Sequence, residues 1–130
     1  MIATSYILLI DDDQITNFVN QTIIEKSEVP IGTKAVITGT DGIDYLLKCL
    51  SNHEDLPYAI LLDINMPEMN GWEFLEEFSR LDEKIRNEVK VYMVSSSQNE
   101  EDVKRALSNP NVTDFLHKPL NSNMVRKVFG

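Results

Sequence analysis

Five short apolar runs alternate along the chain with stretches whose apolar residues recur at helical spacing. The first run is continuously apolar, as expected for a strand that is covered on both faces of a sheet. Five strand–helix units in alternation predict a parallel sheet with helices on both faces. A closed eight-stranded barrel would need about 250 residues, and this chain has 130. The predicted strands occupy residues 6–10, 34–37, 59–62, 89–94 and 112–116.

The amphipathic stretches between these runs predict five helices. In the first, the apolar and small polar residues are spaced like one face of a helix: Ile15, Phe18, Val19, Thr22 and Ile23. We expect Val103, Ala106 and Leu107 to form the inner face of the fourth helix, which Asn109-Pro110 ends. The stretch 80–88 is long and charged, and no strand or helix is predicted there.

The composition narrows the classes of function. A chain of 130 residues fits one domain, so we expect residues 1–130 to form a single domain. The formal net charge of −9 argues against nucleic-acid binding, because phosphate backbones attract basic surfaces. The single cysteine, Cys49, excludes an intrachain disulfide and fits a reducing compartment. No apolar run approaches the roughly 18–20 residues that span a bilayer, and no signal-peptide pattern opens the sequence. We therefore expect a cytoplasmic protein with no membrane contact.

The polar residues of interest all follow predicted strands. Asp11 and Asp12 come directly after the first strand, Asp63 ends the third, Ser95 follows the fourth and Lys118 follows the fifth. In an open α/β sheet, ligands bind at the carboxyl ends of the strands, where the strand order reverses. For the order 2-1-3-4-5 that point lies between the first and third strands. The sequence therefore predicts one crevice that collects these five residues.

Three carboxylates in one crevice repel one another strongly. Protonation, a lysine or a divalent cation must offset that repulsion, and carboxylate and carbonyl oxygens suit Mg²⁺. Lys118 can donate to an anionic ligand, and the Ser95 hydroxyl can add a hydrogen bond. A metal, a cation, a hydroxyl donor and a carboxylate nucleophile are the parts of a phosphoryl-transfer site. The sequence has no glycine-rich loop of the kinds that bind nucleotides.

The motifs resemble the receiver domain of two-component response regulators. They are the segments 7–12, 62–71, 94–95 and 118–119, which appear in the family's order, and the resemblance covers essentially the whole chain. The stretch from Asp63 to Gly71 is the most specific of them. The resemblance implies a doubly wound, five-stranded parallel α/β sheet of flavodoxin-like type, with strand order 2-1-3-4-5.

The resemblance also implies roles for the residues that match the family's motifs. Asp63 matches the phosphoacceptor and a Mg²⁺ ligand. Asp12 matches a direct ligand of Mg²⁺, and Asp11 a ligand that acts largely through water. The backbone carbonyl of Asn65 would complete the metal ligands that the protein supplies.

Three further matches concern the phosphorylated state. Lys118 matches the lysine that pairs with the acceptor and then with its phosphoryl group, and a cis bond to Pro119 would aim it into the crevice. Ser95 matches the switch hydroxyl, and Phe115 the aromatic residue whose rotamer follows its movement. Serine replaces the usual threonine at position 95, and phenylalanine the frequent tyrosine at position 115.

The function implied is a switch that catalyses only its own phosphorylation and dephosphorylation. A histidine kinase or histidine phosphotransfer protein would donate the phosphoryl group, and a protein of unknown identity would receive the signal. We expect a monomer, or a dimer when the chain is phosphorylated. Two alternatives are a small phosphatase of the haloacid dehalogenase type and a receiver that docks without being phosphorylated. The absence of an acidic pair after Lys118 argues against the first, and the intact Asp63 and Lys118 argue against the second.

Some neighbouring residues have simpler interpretations. Asp13 is placed to cap the first helix, because an aspartate there accepts backbone N–H groups. His117 is next to Lys118, but strand alternation points it to the opposite side, so we interpret it as structural or solvated rather than as a general base. Trp72 marks either a docking surface or packing at the start of the third helix.

Overall fold

The computed structural model describes residues 5–96 and 99–130, which form one parallel sheet with helices on both faces. The strand order β2-β1-β3-β4-β5 is the predicted one. The charged stretch 80–88, for which no element was predicted, contains a short helix, α4. The elements in chain order are β1 Tyr6–Ile10, α1 Gln14–Lys26, β2 Gly32–Val36, α2 Gly39–Ser51, β3 Ala59–Asp63, α3 Gly71–Ser79, α4 Glu83–Glu88, β4 Lys90–Ser95, α5 Glu100–Ser108, β5 Val112–His117 and α6 Ser122–Phe129.

The central strand β1 explains why its sequence is continuously apolar. Leu8 and Ile10 face the core that α2, α3, α4 and α5 cover. Ile7 and Leu9 face the second core, which α1 and α6 cover. All four side chains are buried. Because neighbouring residues of a strand point to opposite faces, helices must cover both faces of β1. Burial on both faces is what requires an apolar residue at every position.

The first helix turns most of its predicted apolar face outward, although Ile23 of that face packs against the second core. Ile15, Phe18 and Val19 are 74%, 68% and 45% exposed, whereas the buried residues of α1 are Asn17 and Ile24. Those two are seven residues apart, which is about two helical turns, so they lie on one side of the helix. The fourth predicted helix shows a smaller difference, because Leu107 is exposed instead of lying on the inner face.

Helix α4 depends on a single apolar contact. Ile85 is fully buried and joins the core under α2 and α3. The Asp82 side chain caps the helix by accepting from the Lys84 N–H, and Lys84 pairs with Glu88 one turn later. One apolar residue in six gives no periodicity, so sequence patterning misses such a helix.

No helix in the described part of the chain combines the length and the apolar character that crossing a membrane requires.

Candidate functional site

The carboxyl ends of β1 and β3 lie side by side and bring the predicted aspartates together. Ile10 pairs with Leu62 in the parallel ladder, so Asp11 and Asp63 leave neighbouring strands at the same edge of the sheet. Both carboxylates are buried, with Asp11 6% and Asp63 8% exposed, while Asp12 is exposed. One oxygen from each of Asp11, Asp12 and Asp63 lies within 4.8 Å of the others.

Lys118 reaches this cluster from the end of β5. Its Nζ donates to Asp11 Oδ2 at 3.0 Å and to Asp63 Oδ1 at 3.3 Å. Its backbone N–H donates to the Ser95 carbonyl at 2.9 Å, which fixes the segment beside the end of β4. The Lys118–Pro119 peptide bond is cis, which confirms that prediction.

The charges of the cluster are only partly compensated. Burial, the Asp11 carboxylate and the Asp12 carboxylate raise the pKa of Asp63, and Lys118 opposes them without cancelling them. Burial alone would lower the pKa of Lys118, but its hydrogen bond to Asp11 and the charges of Asp63 and Asp11 raise that pKa overall. Three carboxylates and one ammonium leave a formal charge of −2. The ionised cluster therefore has the charge that one divalent cation would neutralise.

The donor set fits Mg²⁺, which takes hard oxygen ligands and retains several waters. Asp12 is the most accessible of the three carboxylates, and the other two are held in place by Lys118. Asn65 is exposed in the loop two residues after Asp63, and the role of its carbonyl stays a prediction.

A family model of the response regulator receiver domain matches residues 7–129, nearly the whole chain. The chain belongs to the response regulator receiver domain family. This membership confirms the resemblance drawn from the motifs.

Two solved receiver structures resemble this one over almost their entire length. A two-component response regulator from Cytophaga hutchinsonii is 33% identical with a TM-score of 0.87, and the match covers 95% of this chain and 92% of that one. A response regulator receiver protein from Dyadobacter fermentans is 28% identical with a TM-score of 0.84, covering 96% and 94%. These likenesses confirm the predicted fold.

The sensor histidine kinase CheAY of Helicobacter pylori is 30% identical over 125 residues, which are 96% of this chain and 15% of that protein. The chain spans about half or less of the length of the curated relatives that it matches.

The loop after Asp63, residues 64–70, is closed by tight packing at the start of α3. Asn70 caps α3 by accepting from the Glu73 N–H, and Glu73 reaches back to the Asn70 N–H. Gly71 donates its N–H to the Ile64 carbonyl at 2.8 Å. A Cβ at Gly71 would lie 2.9 Å from the Asp63 carbonyl oxygen, which explains the glycine by space.

The two residues matched to the switch are both buried. Ser95 ends β4 and pairs in register with His117 on β5. Phe115 is 8% exposed and meets the exposed His117 edge-on, with 5.1 Å between ring centroids. The Phe115 ring is thus already packed in the core of this structure. The switching roles of Ser95 and Phe115 stay predictions.

Asp13 caps α1, as predicted. Its Oδ1 accepts from the Ile15 N–H at 2.9 Å and from the Thr16 N–H at 3.3 Å, and these bonds lower the pKa of Asp13. Trp72 is half-buried, with the Arg105 guanidinium 4.2 Å from its ring centroid. This contact between α3 and α5 supports the packing interpretation of Trp72.

Sequence patterning missed two features beside the site. The exposed apolar face of α1 borders a cleft of about 230 Å³ whose other wall is Lys118, Pro119 and Leu120. Asn17, to which the apolar spacing of the first helix assigns no role, is buried against the end of β1. The seven-residue spacing from Asn17 to Ile24 is the one sequence signal that relates the two buried positions.

Proposed function

We propose that this receiver domain accepts a phosphoryl group on Asp63, with Mg²⁺, and so switches a protein-docking surface. The observation that carries the proposal is the position of the Asp63 carboxylate. It is buried at the end of β3, bonded to Lys118, and shares a cation-sized cluster with Asp11 and Asp12. Family membership and the formal charge of −2 support the same assignment.

In the proposed reaction, a carboxylate oxygen of Asp63 attacks the phosphorus of a phosphohistidine. The P–N bond breaks, an acyl phosphate forms on Asp63, and the imidazole leaves with its electron pair and takes up a proton from solvent. Lys118 holds Asp63 beforehand and then donates to a phosphoryl oxygen. Mg²⁺, held by Asp11, Asp12, Asp63 and the Asn65 carbonyl, would neutralise charge on the phosphoryl oxygens.

The phosphodonor is a histidine kinase or histidine phosphotransfer protein, and we propose that it docks on the exposed face of α1. Ile15, Phe18 and Val19 are exposed apolar side chains of the kind that mark protein contacts. Ile15 and Val19 line a cleft that continues to Lys118, which contacts Asp63, so a protein seated there would present a histidine beside Asp63.

The signal leaves, in this proposal, through the face formed by α5, β5 and α6. We take Lys118, which contacts Asp63, and the Ser95 hydroxyl, at the end of β4, as the donors to the new charge. A shift of Ser95 toward the phosphoryl group would change the packing between β4 and β5, where Phe115 lies against Met93 in register. Phosphorylation biases this equilibrium only by its different contacts with the two packings.

Incubation with acetyl phosphate and Mg²⁺ tests the function directly. Phos-tag electrophoresis and intact-mass analysis should show one added phosphoryl group, with little or none when EDTA replaces Mg²⁺. If none of the Mg²⁺ concentrations gives a shifted band, the proposal is refuted.

Mg²⁺ should also stabilise the fold. At about ten times its Kd, Mg²⁺ should add roughly 1.4 kcal/mol, which raises the Tm of a domain of this size by about 4–8 °C. Asp63→Asn should raise the Tm in metal-free buffer at pH 7 and reduce the increment due to Mg²⁺, because burial and two neighbouring carboxylates destabilise the ionised Asp63.

The pH dependence follows from the same shift. The folded pKa of Asp63 is raised, so its ionisation removes stability as the pH rises through that pKa. The Tm difference between wild type and Asp63→Asn should therefore shrink as the pH is lowered. Asp44→Asn changes the same charge at an exposed position and serves as the control.

A wild-type Tm that does not depend on Mg²⁺ would argue against the metal site.

Ser95→Ala should still accept phosphate at Asp63 but transmit it poorly. NMR spectra with and without beryllofluoride, a phosphoryl mimic, should show shifts in wild type around residues 103–107 and 115–116 that the variant largely lacks. The reason is that alanine cannot donate a hydrogen bond to the mimic. Equal shifts in both proteins would show that another residue couples the site to this face.

A further inference from the structure

Asn17 is buried in a position that suits an apolar residue. It is 4% exposed, and the other buried residue of α1, two turns along, is Ile24. On the same helix Phe18 is left largely exposed. Burial of an amide is unfavourable unless its polar atoms are hydrogen-bonded. The contacts of Asn17 therefore indicate what the residue does.

The Asn17 amide joins the ends of two neighbouring strands. Its Nδ2 donates to the Asp11 carbonyl at 3.0 Å and to the Val36 carbonyl at 3.3 Å. The Val36 carbonyl also accepts from the Asp11 N–H at 3.3 Å. One side chain thus fixes the backbone where β1 ends and the acidic cluster begins.

Each of the three oxygens of Asp11 accepts a hydrogen bond. The carbonyl accepts from Asn17, Oδ1 accepts from the Asp13 N–H at 3.0 Å, and Oδ2 accepts from Lys118 Nζ at 3.0 Å. Asp12 differs, because no hydrogen bond reaches its carboxylate within residues 5–96 and 99–130. Its placement therefore depends on the backbone that carries it. The Asp11 carbonyl belongs to the planar peptide unit that joins Asp11 to Asp12, so a bond to that carbonyl orients the whole unit.

Asn17 keeps this arrangement although one of its own atoms is unsatisfied. In the part of the chain that the structure describes, Asn17 Oδ1 is buried without a hydrogen-bond partner. A buried acceptor without a partner destabilises a fold. Two bonds to strand-end carbonyls together with one unsatisfied oxygen favour a positioning role over simple core packing.

We propose that Asn17 is a positioning residue for the divalent cation. It orients the Asp11–Asp12 peptide so that the Asp12 carboxylate meets those of Asp11 and Asp63. This inference rests on the proposed function, in which these three carboxylates hold Mg²⁺. Removing a hydrogen bond that orients a metal ligand typically weakens metal affinity 10- to 100-fold. Asn17→Leu, which keeps the number and branching of the side-chain heavy atoms but loses the donor, should raise the Kd of Mg²⁺ about 10-fold.

The experiment measures Tm over a Mg²⁺ series, from which the Kd follows by linkage. The proteins are wild type, Asn17→Leu, Asn17→Ala as a second variant in case leucine overpacks the site, and Ser27→Ala. Ser27 is also a buried polar residue at α1, and its hydroxyl donates to the Ile24 carbonyl at the far end of the helix. Ser27→Ala should lower the Tm at every Mg²⁺ concentration and leave the Kd unchanged.

The outcomes separate the two ideas. A Kd that rises about 10-fold in the Asn17 variants, and not in Ser27→Ala, supports the positioning role. Asn17 variants with a lower Tm but the wild-type Kd would overturn it, since that is the result of a purely structural residue. A wild type whose Tm does not respond to Mg²⁺ would refute the metal site itself, and with it the role of Asn17.

Discussion

Asp63→Asn should lose phosphorylation by acetyl phosphate entirely, in the presence of Mg²⁺ and at any incubation time. The amide is nearly the same size as the carboxylate, so it preserves packing in a position that is 8% exposed. It removes the anion that we propose as the nucleophile, the carboxylate of β3 that accepts a hydrogen bond from Lys118. Intact-mass analysis should show the added phosphoryl group in wild type and none in the variant.

Asp13→Asn is the matched control for this loss. Asp13 lies in the same acidic run, but its carboxylate caps α1, and asparagine caps helices comparably well. The control should therefore be phosphorylated like wild type. A full phosphorylated band in Asp63→Asn would show that the acceptor is another residue. A loss in both variants would point to a general effect of the removed charge.

Gly71→Ala should destabilise the fold and displace Asp63. A Cβ at this position would lie 2.9 Å from the Asp63 carbonyl oxygen, 2.9 Å from Ile64 Cα and 3.0 Å from Met93 Cε. Two of these atoms belong to the backbone and cannot rotate away. Overpacking of this kind costs about 1–3 kcal/mol. The displaced backbone carries Asp63, so we expect a lower Tm together with slower phosphorylation.

Gly32→Ala provides the comparison, because it makes the same chemical change at an open position. The Cβ would meet Tyr6 Cβ at 3.5 Å, which is an ordinary contact. Its Tm and phosphorylation rate should stay close to those of wild type. If Gly71→Ala behaves like Gly32→Ala, the contact between α3 and the loop after Asp63 does not constrain Asp63.

The sheet could be predicted from sequence because its central strands are buried on both faces, and such strands need apolar residues throughout. The orientation of α1 could not, since periodicity assigns the most apolar face to the core. In this domain that face, with Ile15 and Phe18, stays exposed beside the candidate site. Apolar spacing cannot distinguish a face that packs internally from one that is left for a partner. Helix α4 was not predicted because Ile85 is its one buried residue, and a single apolar residue gives no periodic pattern.

The candidate site was predictable where topology decides it. Parallel strands end at one edge, so residues that directly follow β1 and β3 must meet there. The Lys118 contacts depend on the path of the chain after β5. The family resemblance supplied the pairing with Asp63, whereas the bond to Asp11 was not predicted. Neither strand topology nor the family resemblance indicated the contacts of Asn17. A buried amide and an exposed one look alike in a sequence, and only the carbonyl groups around it reveal its contacts.

Trp72 has an optical consequence. It is the single tryptophan of the chain, so the intrinsic fluorescence excited at the red edge of protein absorption comes from one indole. That indole belongs to α3, the helix packed on the loop after Asp63, and lies beside a guanidinium of α5. Its emission depends on the electric field of Arg105 and on the local exposure to water. The domain therefore carries an unlabelled chromophore at the contact between α3 and the α5–β5–α6 face.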